Sequence, residues 1–202
     1  MNRKESMIIH AIVKMKITKD NAALLVIDVQ ERLVPAMSEP EKCVDNTAKM
    51  IEGARILGLP VVVSEQYPQG LGSTVPKIKE VLDKEIDGTI IPANIIEKRA
   101  FSCLDEEKIL NELEKVDRDY VLVCGIESHI CVLQTIMDLS EKGFIPVLVE
   151  DCVFSRKEND KTQAVKRAAM EGAIVTTYES ILFELLGSST APEFKAISKL
   201  IK

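Results

Sequence analysis

The feature that most constrains this chain is a run of six apolar residues, Ala22-Ala23-Leu24-Leu25-Val26-Ile27, that ends abruptly at Asp28. A run of strand length with no alternating polar positions fits a strand buried on both faces, as in a parallel sheet covered by helices. Similar runs recur at 59–63, 120–124, 145–149 and 173–176, with 89–91 a short additional strand. Between them lie amphipathic stretches that read as helices over 40–57, 105–113, 129–142 and 159–171, with closing helices over 178–186 and 192–201. The first of these ends at Gly58 and Pro60, a helix stop signal. Residues 67–76 hold Pro68, Gly70, Gly72 and Pro76 and read as a loop. Strand–helix alternation predicts a three-layer α/β/α, Rossmann-like fold with a mainly parallel sheet of about six strands.

At 202 residues, with no low-complexity linker and no internal repeat, the chain reads as one domain. Its core is expected over 21–186, with an N-terminal extension 1–20 and a C-terminal helix near 192–202. A net charge of -6 and no sustained basic run argue against nucleic acid as the main partner, because phosphate neutralisation needs clustered Lys and Arg. A small-molecule substrate is the expectation. No stretch approaches the roughly 18 unbroken apolar residues of a membrane helix, and the run at 7–13 is too short and too broken by His10 for a secretory signal. Five cysteines, odd in number and without a CxxC pair or a histidine at ligand spacing, read as reduced thiols in a cytoplasmic protein with no metal site. Gly70-Leu71-Gly72 lacks the third glycine of a dinucleotide fingerprint, so no cofactor is predicted.

Ligands of open parallel sheets bind beyond the carboxyl ends of the strands, which draws attention to Asp28, Glu65, Gln66, residues 125–131 and Asp151. Cys131 falls at the expected start of a helix, where the dipole would favour a thiolate; the alternative is a buried small hydrophobe. Asp28, at the end of an apolar strand, could have a raised pKa and accept a proton, or could simply form a turn or cap. Lys98, in Glu97-Lys98-Arg99, taken alone reads first as part of a solvated charge run.

Three segments, Leu25-Val26-Ile27-Asp28-Val29-Gln30, Lys98-Arg99-Ala100-Phe101-Ser102 and Gly125-Ile126-Glu127-Ser128-His129-Ile130-Cys131-Val132, occur in order and together resemble the signature segments of isochorismatase-like cysteine hydrolases. Residues 64–72 and Pro192-Glu193-Phe194-Lys195 are similar to the isochorismatase domain-containing subgroup. The resemblance implies a Cys-Asp-Lys triad in which Cys131 attacks an amide-like carbonyl, Asp28 takes its proton and Lys98 holds the charges of the pair, by way of a thioester. It further implies oxyanion donors at the backbone amides of Glu127 and Cys131, with a cis peptide between Ile126 and Glu127. Substrate contacts are expected at Gln30, Gln66, Tyr67, Ser128 and His129. Nicotinamidases of the family carry an Asp-x-His metal motif where this chain has Gln66-Tyr67-Pro68, so metal-independent chemistry is implied. Two other readings stay open: hydrolysis of an isochorismate-like vinyl ether by acid catalysis through Asp28, and a non-catalytic binding or scaffold protein that keeps the pocket. A homo-oligomer, dimer or higher, is expected because family members assemble and Ile181-Leu182-Phe183-Glu184-Leu185-Leu186 is more apolar than a lone surface helix should be.

Overall fold

The computed structural model describes residues 16–86 and 93–202. The expected strand at 89–91 and most of the extension 1–20 lie outside them. Six strands form one sheet: β1 (Ala22–Ile27), β2 (Val61–Gln66), β3 (Asn94–Lys98), β4 (Tyr120–Ile126), β5 (Ile145–Phe154) and β6 (Ile174–Thr176). Their order is β3-β2-β1-β4-β5-β6 and every neighbouring pair is parallel.

The helices divide between the two faces by simple parity along β1. Ala22, Leu24 and Val26 point into a core shared with α1 (Pro40–Ile56), the helix Tyr178–Leu186 and the C-terminal helix. Leu25 and Ile27 point into the opposite core. That second core is closed by α4 (Glu107–Val116), α5 (Leu133–Glu141) and α6 (Glu158–Met170). The remaining helices are a single turn α2 (Pro68–Leu71), α3 (Pro76–Asp83), α7 (Tyr178–Leu186) and α8 (Phe194–Ile201). All six β1 residues are buried, which accounts for the unbroken apolar run.

Several boundaries differ from expectation for identifiable reasons. The segment 67–76 contains α2, because Pro68 occupies the first helical turn, where its missing N–H costs nothing. Pro76 opens α3 in the same way. The expected oligomer signal at 181–186 has an intrachain explanation: Ile181, Leu182, Leu185 and Leu186 are buried in the chain's own core, and Leu182 packs so tightly on α1 that a Cβ at Gly53 would lie 2.5 Å from it. Only Phe183 of that apolar set is exposed, at 38%.

Candidate active site

The strand order reverses direction between β1 and β4, and in parallel sheets the crevice at such a switch point is where ligands bind. Asp28 stands immediately after β1 at that point, fully buried, with a left-handed φ of 53° and its amide donating to the Ser64 carbonyl at 3.1 Å. Asp tolerates this backbone better than most residues. Lys98 ends β3. Strand parity turns Ile96 and Lys98 inward and leaves Glu97 and Arg99 exposed, so the charge run is solvated only at its alternate members. The Lys98 ammonium lies 2.8 Å from Asp28 Oδ2 and donates to Gln66 Oε1 at 2.7 Å and to the Ala100 and Phe101 carbonyls at 3.1 Å each.

Cys131 comes from the far side of the switch point. At Gly125, φ is 116° and a Cβ would lie 2.0 Å from the Ile27 carbonyl oxygen, so only glycine lets the ends of β4 and β1 approach this closely. The peptide between Ile126 and Glu127 is cis, as the resemblance implied. Residues Ser128–Val132 then form a wide turn, with the Leu133 amide donating to the Ser128 carbonyl, and the regular helix α5 starts only at Leu133. Cys131 therefore lies in the π-helical first turn of a helical run that continues directly into α5, close to the helix start expected at His129. Its thiol and the Asp28 carboxyl are near enough for each to shift the other's pKa. It is 8% exposed, whereas Cys43, Cys103, Cys124 and Cys152 are 0% exposed. The structure thus brings Asp28, Lys98 and Cys131 together.

The electrostatics correct one expectation. Burial, and next the negative charge of Asp28, push the Cys131 thiol up to about 12, with Lys98 pulling the other way. The expected depression fails because burial of the thiol dominates and the nearby Asp28 charge adds to it. Burial also raises Asp28, partly offset by the charge and hydrogen bond of Lys98 and by hydrogen bonds from Ser64 and Cys131. Burial disfavours the Lys98 ammonium, but Asp28, Cys103 and Cys131 together hold its pKa above the ordinary lysine value. Thiol, carboxyl and ammonium are thus electrostatically coupled and titrate jointly.

The predicted substrate contacts separate into groups. Gln30 is fully buried: its carboxamide donates to the Gln66 carbonyl at 3.0 Å and to the Gly72 carbonyl, at 2.6 Å, and accepts from the Gln66 amide at 2.7 Å. The polar atoms of Gln30 are thus engaged inside the protein, tying the loop after β1 to the end of β2 and to Gly72. The Gln66 side chain is likewise engaged, with Lys98 and with the Arg99 carbonyl. Tyr67 is 42% exposed at the rim, its ring under the Arg99 guanidinium at 4.0 Å. The His129 ring turns away from Cys131, with Nδ1 2.9 Å from Ser155 Oγ and Nε2 4.0 Å from Asp160 Oδ2. The Glu127 side chain accepts from the backbone and guanidinium of Arg156 at 3.2 and 3.0 Å. Ser128 Oγ is buried without a hydrogen-bond partner among the described residues, free to meet a ligand.

Residues 22–180 match the model of the Isochorismatase domain. The chain belongs to the isochorismatase family. This isochorismatase-family chain is 40% identical to Isochorismatase domain-containing protein 1 of Salmo salar over 87% of its length, and spans 59% of that longer protein. It is 38% identical to the Secreted isochorismatase effector Isc1 of Phytophthora sojae, covering 90% of this chain and 85% of the relative. Among solved structures, the MAR1 ribonuclease from Caenorhabditis elegans superposes with a TM-score of 0.83 at 37% identity, covering 93% of this chain and 92% of that one. The isochorismatase fold seen here is that of a hydrolase family, and no helix among the described residues is long and apolar enough to cross a membrane.

Two members of the polar cluster were missed in the sequence. Ser64 Oγ donates to Asp28 Oδ1 at 2.7 Å, and the Cys103 thiol, pushed up to about 11 mainly by burial, donates to Ser64 Oγ at 3.5 Å. Ser64 had a readable signal: Val62, Ser64 and Gln66 share one strand face with Ile27, Ile96 and Lys98 in register. Cys103 had none, because it lies in a short turn after β3 whose path is set by tertiary contacts such as its amide bond to Thr135 Oγ1, 3.0 Å.

Proposed function

We propose that this protein is a metal-independent cysteine hydrolase of a small amide or related C–N substrate. The observation that carries the reading is Cys131: the one thiol of five with exposed surface, electrostatically coupled to a buried Asp28 that is itself paired with Lys98. Asp28 takes the thiol proton as sulfur bonds to the substrate carbonyl, and the oxyanion is held by the amides of Glu127 and Cys131. The C–N bond breaks as Asp28 returns the proton to the leaving nitrogen. Water then attacks the thioester, giving a proton to Asp28, which passes it to the departing thiolate. A raised Asp28 suits this alternation between acceptor and donor. Lys98 keeps negative charge tolerable in a dry pocket, and Ser128 Oγ is available for a polar group of the substrate.

The raised Asp28 equally suits protonation of an isochorismate-like vinyl ether, in which Cys131 would be dispensable. A panel of small amides, ureides and a vinyl ether, assayed with wild type and Cys131→Ala, tests the reading. Hydrolysis of an amide with a mass adduct on Cys131, lost in Cys131→Ala, is expected; turnover that survives the substitution would overturn it. The nematode relative is named a ribonuclease, so a short single-stranded RNA belongs in the panel. No turnover of any kind would favour a binding protein that keeps the pocket. Cytoplasmic placement is supported by five free thiols. Self-association is supported by exposed Ile174 and Val175 on the edge strand β6 and exposed Met170 at the end of α6, and light scattering decides it.

A further inference from the structure

We infer that Gln66 is a positioning residue that acts through Lys98, fixing the ammonium between Asp28 and the Cys131 turn, and that it is not a substrate contact. The inference rests on the cysteine-hydrolase reading for its chemical meaning. Four oxygens surround the Lys98 ammonium, which has three hydrogens: Asp28 Oδ2, Gln66 Oε1 and the carbonyls of Ala100 and Phe101. The ammonium is saturated by the protein and acts as a fixed charge. Of the four oxygens, the two carbonyls belong to the residues immediately following Lys98 and move with it, so Asp28 and Gln66 alone tie it to other strands.

The Gln66 carboxamide can be oriented in only one way. Its oxygen must face the ammonium, because an amide N–H there would meet a second donor, and its Nε2 then donates to the Arg99 carbonyl at 2.7 Å. One side chain thus grips both the head of Lys98 and the backbone that follows it. Gln66 is held in turn: Gln30 bonds both its amide and its carbonyl, and the Tyr67 amide donates to the Lys98 carbonyl at 3.0 Å. Gln30, Gln66 and Lys98 form a chain of positioning contacts running from the loop after β1 to the end of β3.

The test is the pH profile of iodoacetamide labelling at Cys131, located by peptide mass spectrometry, in wild type, Gln66→Met, Lys98→Met and the double variant. A cation near the thiol favours thiolate, so Lys98→Met should slow labelling about tenfold at a given pH. Gln66→Met, which releases the charge without removing it, should slow it about threefold. The double variant should label no more slowly than Lys98→Met alone, because Gln66 has nothing left to position. Gln66→Asn, which keeps the amide but withdraws it by one methylene, should reproduce the effect if Gln66→Met folds poorly. A Gln66 variant with lowered melting temperature and an unmoved profile would make Gln66 merely structural and overturn the inference. So would a slowing that persists in the Lys98→Met background. If Lys98→Met itself leaves the profile unmoved, the cysteine-hydrolase triad fails first and the inference falls with it.

Discussion

Two carboxylate–cation pairs stand on either side of the end of β4, alike in length and opposite in surroundings. On the β1 side, Asp28 and Lys98 meet at 2.8 Å with both side chains 0% exposed. On the β5 side, Glu127 and Arg156 meet at 3.0 Å with the arginine side chain 57% exposed. Distance alone would rate them equal. Water decides otherwise: an exposed pair is screened and contributes about 0–1 kcal/mol, whereas removing one partner of a buried pair strands an uncompensated charge at about 3–5 kcal/mol. The dry pair also perturbs its neighbours, since burial and Asp28 together raise the Cys131 thiol. The proposed chemistry lies on the side where an electrostatic change is felt.

The comparison can be broken most directly by Lys98→Met, which should cost about 3 kcal/mol of stability at pH 8. Asp28 is already raised by burial, and loss of Lys98 removes the main influence lowering it. A carboxyl whose folded pKa exceeds its unfolded value stabilises the native state below the unfolded pKa and loses that contribution as pH rises through the folded one. The deficit should therefore shrink toward pH 4 and grow toward pH 8 in urea denaturation; a pH-independent deficit would show that the pair is not dry.

Asp28→Asn has the next largest effect and the opposite sign on the thiol. Asp28 raises Cys131, so its neutral replacement should speed iodoacetamide labelling about tenfold near neutral pH while amide hydrolysis is lost. Slower labelling would mean that Asp28 activates the resting thiol and that burial alone accounts for its raised pKa. On the wet side, Arg156→Ala should change the urea midpoint by less than about 1 kcal/mol. A larger loss would show that the Glu127 contact supports the turn carrying Cys131. Smallest of all, a strong chelator should leave melting temperature and labelling unchanged, because among the described residues no group of three or more His, Cys, Asp or Glu side chains could hold a metal ion. A drop restored by zinc would contradict that.

The layer architecture was legible in the sequence because burial on both faces leaves an unmistakable trace: β1 has no polar residue until the chain leaves the sheet at Asp28. Helix ends were legible where a stop residue such as Gly58 follows the last turn. The helix expected from His129 was legible as well, but not that its first turn, Ser128–Val132, takes the wider π register before α5 begins at Leu133. The edge strand β3 was hidden for a different reason. Its exposed Asn94, Ile95 and Glu97 face solvent, and the pattern they make with Ile96 and Lys98 reads as a charged turn until pairing with β2 supplies the period of two.

The sequence by itself determined which residue types stand at the carboxyl ends of the strands, and so the family and the identities of Asp28, Lys98 and Cys131. Tertiary structure alone decided their state. The same lysine is a surface charge or a buried ammonium with four oxygen neighbours depending on strand parity and on Gln66 reaching it. The same thiol is lowered by a dipole or raised by burial and a neighbouring carboxylate depending on how distant segments enclose it. Electrostatic energies depend on distance and on the exclusion of water, and both are properties of the packed assembly of distant segments rather than of any one of them.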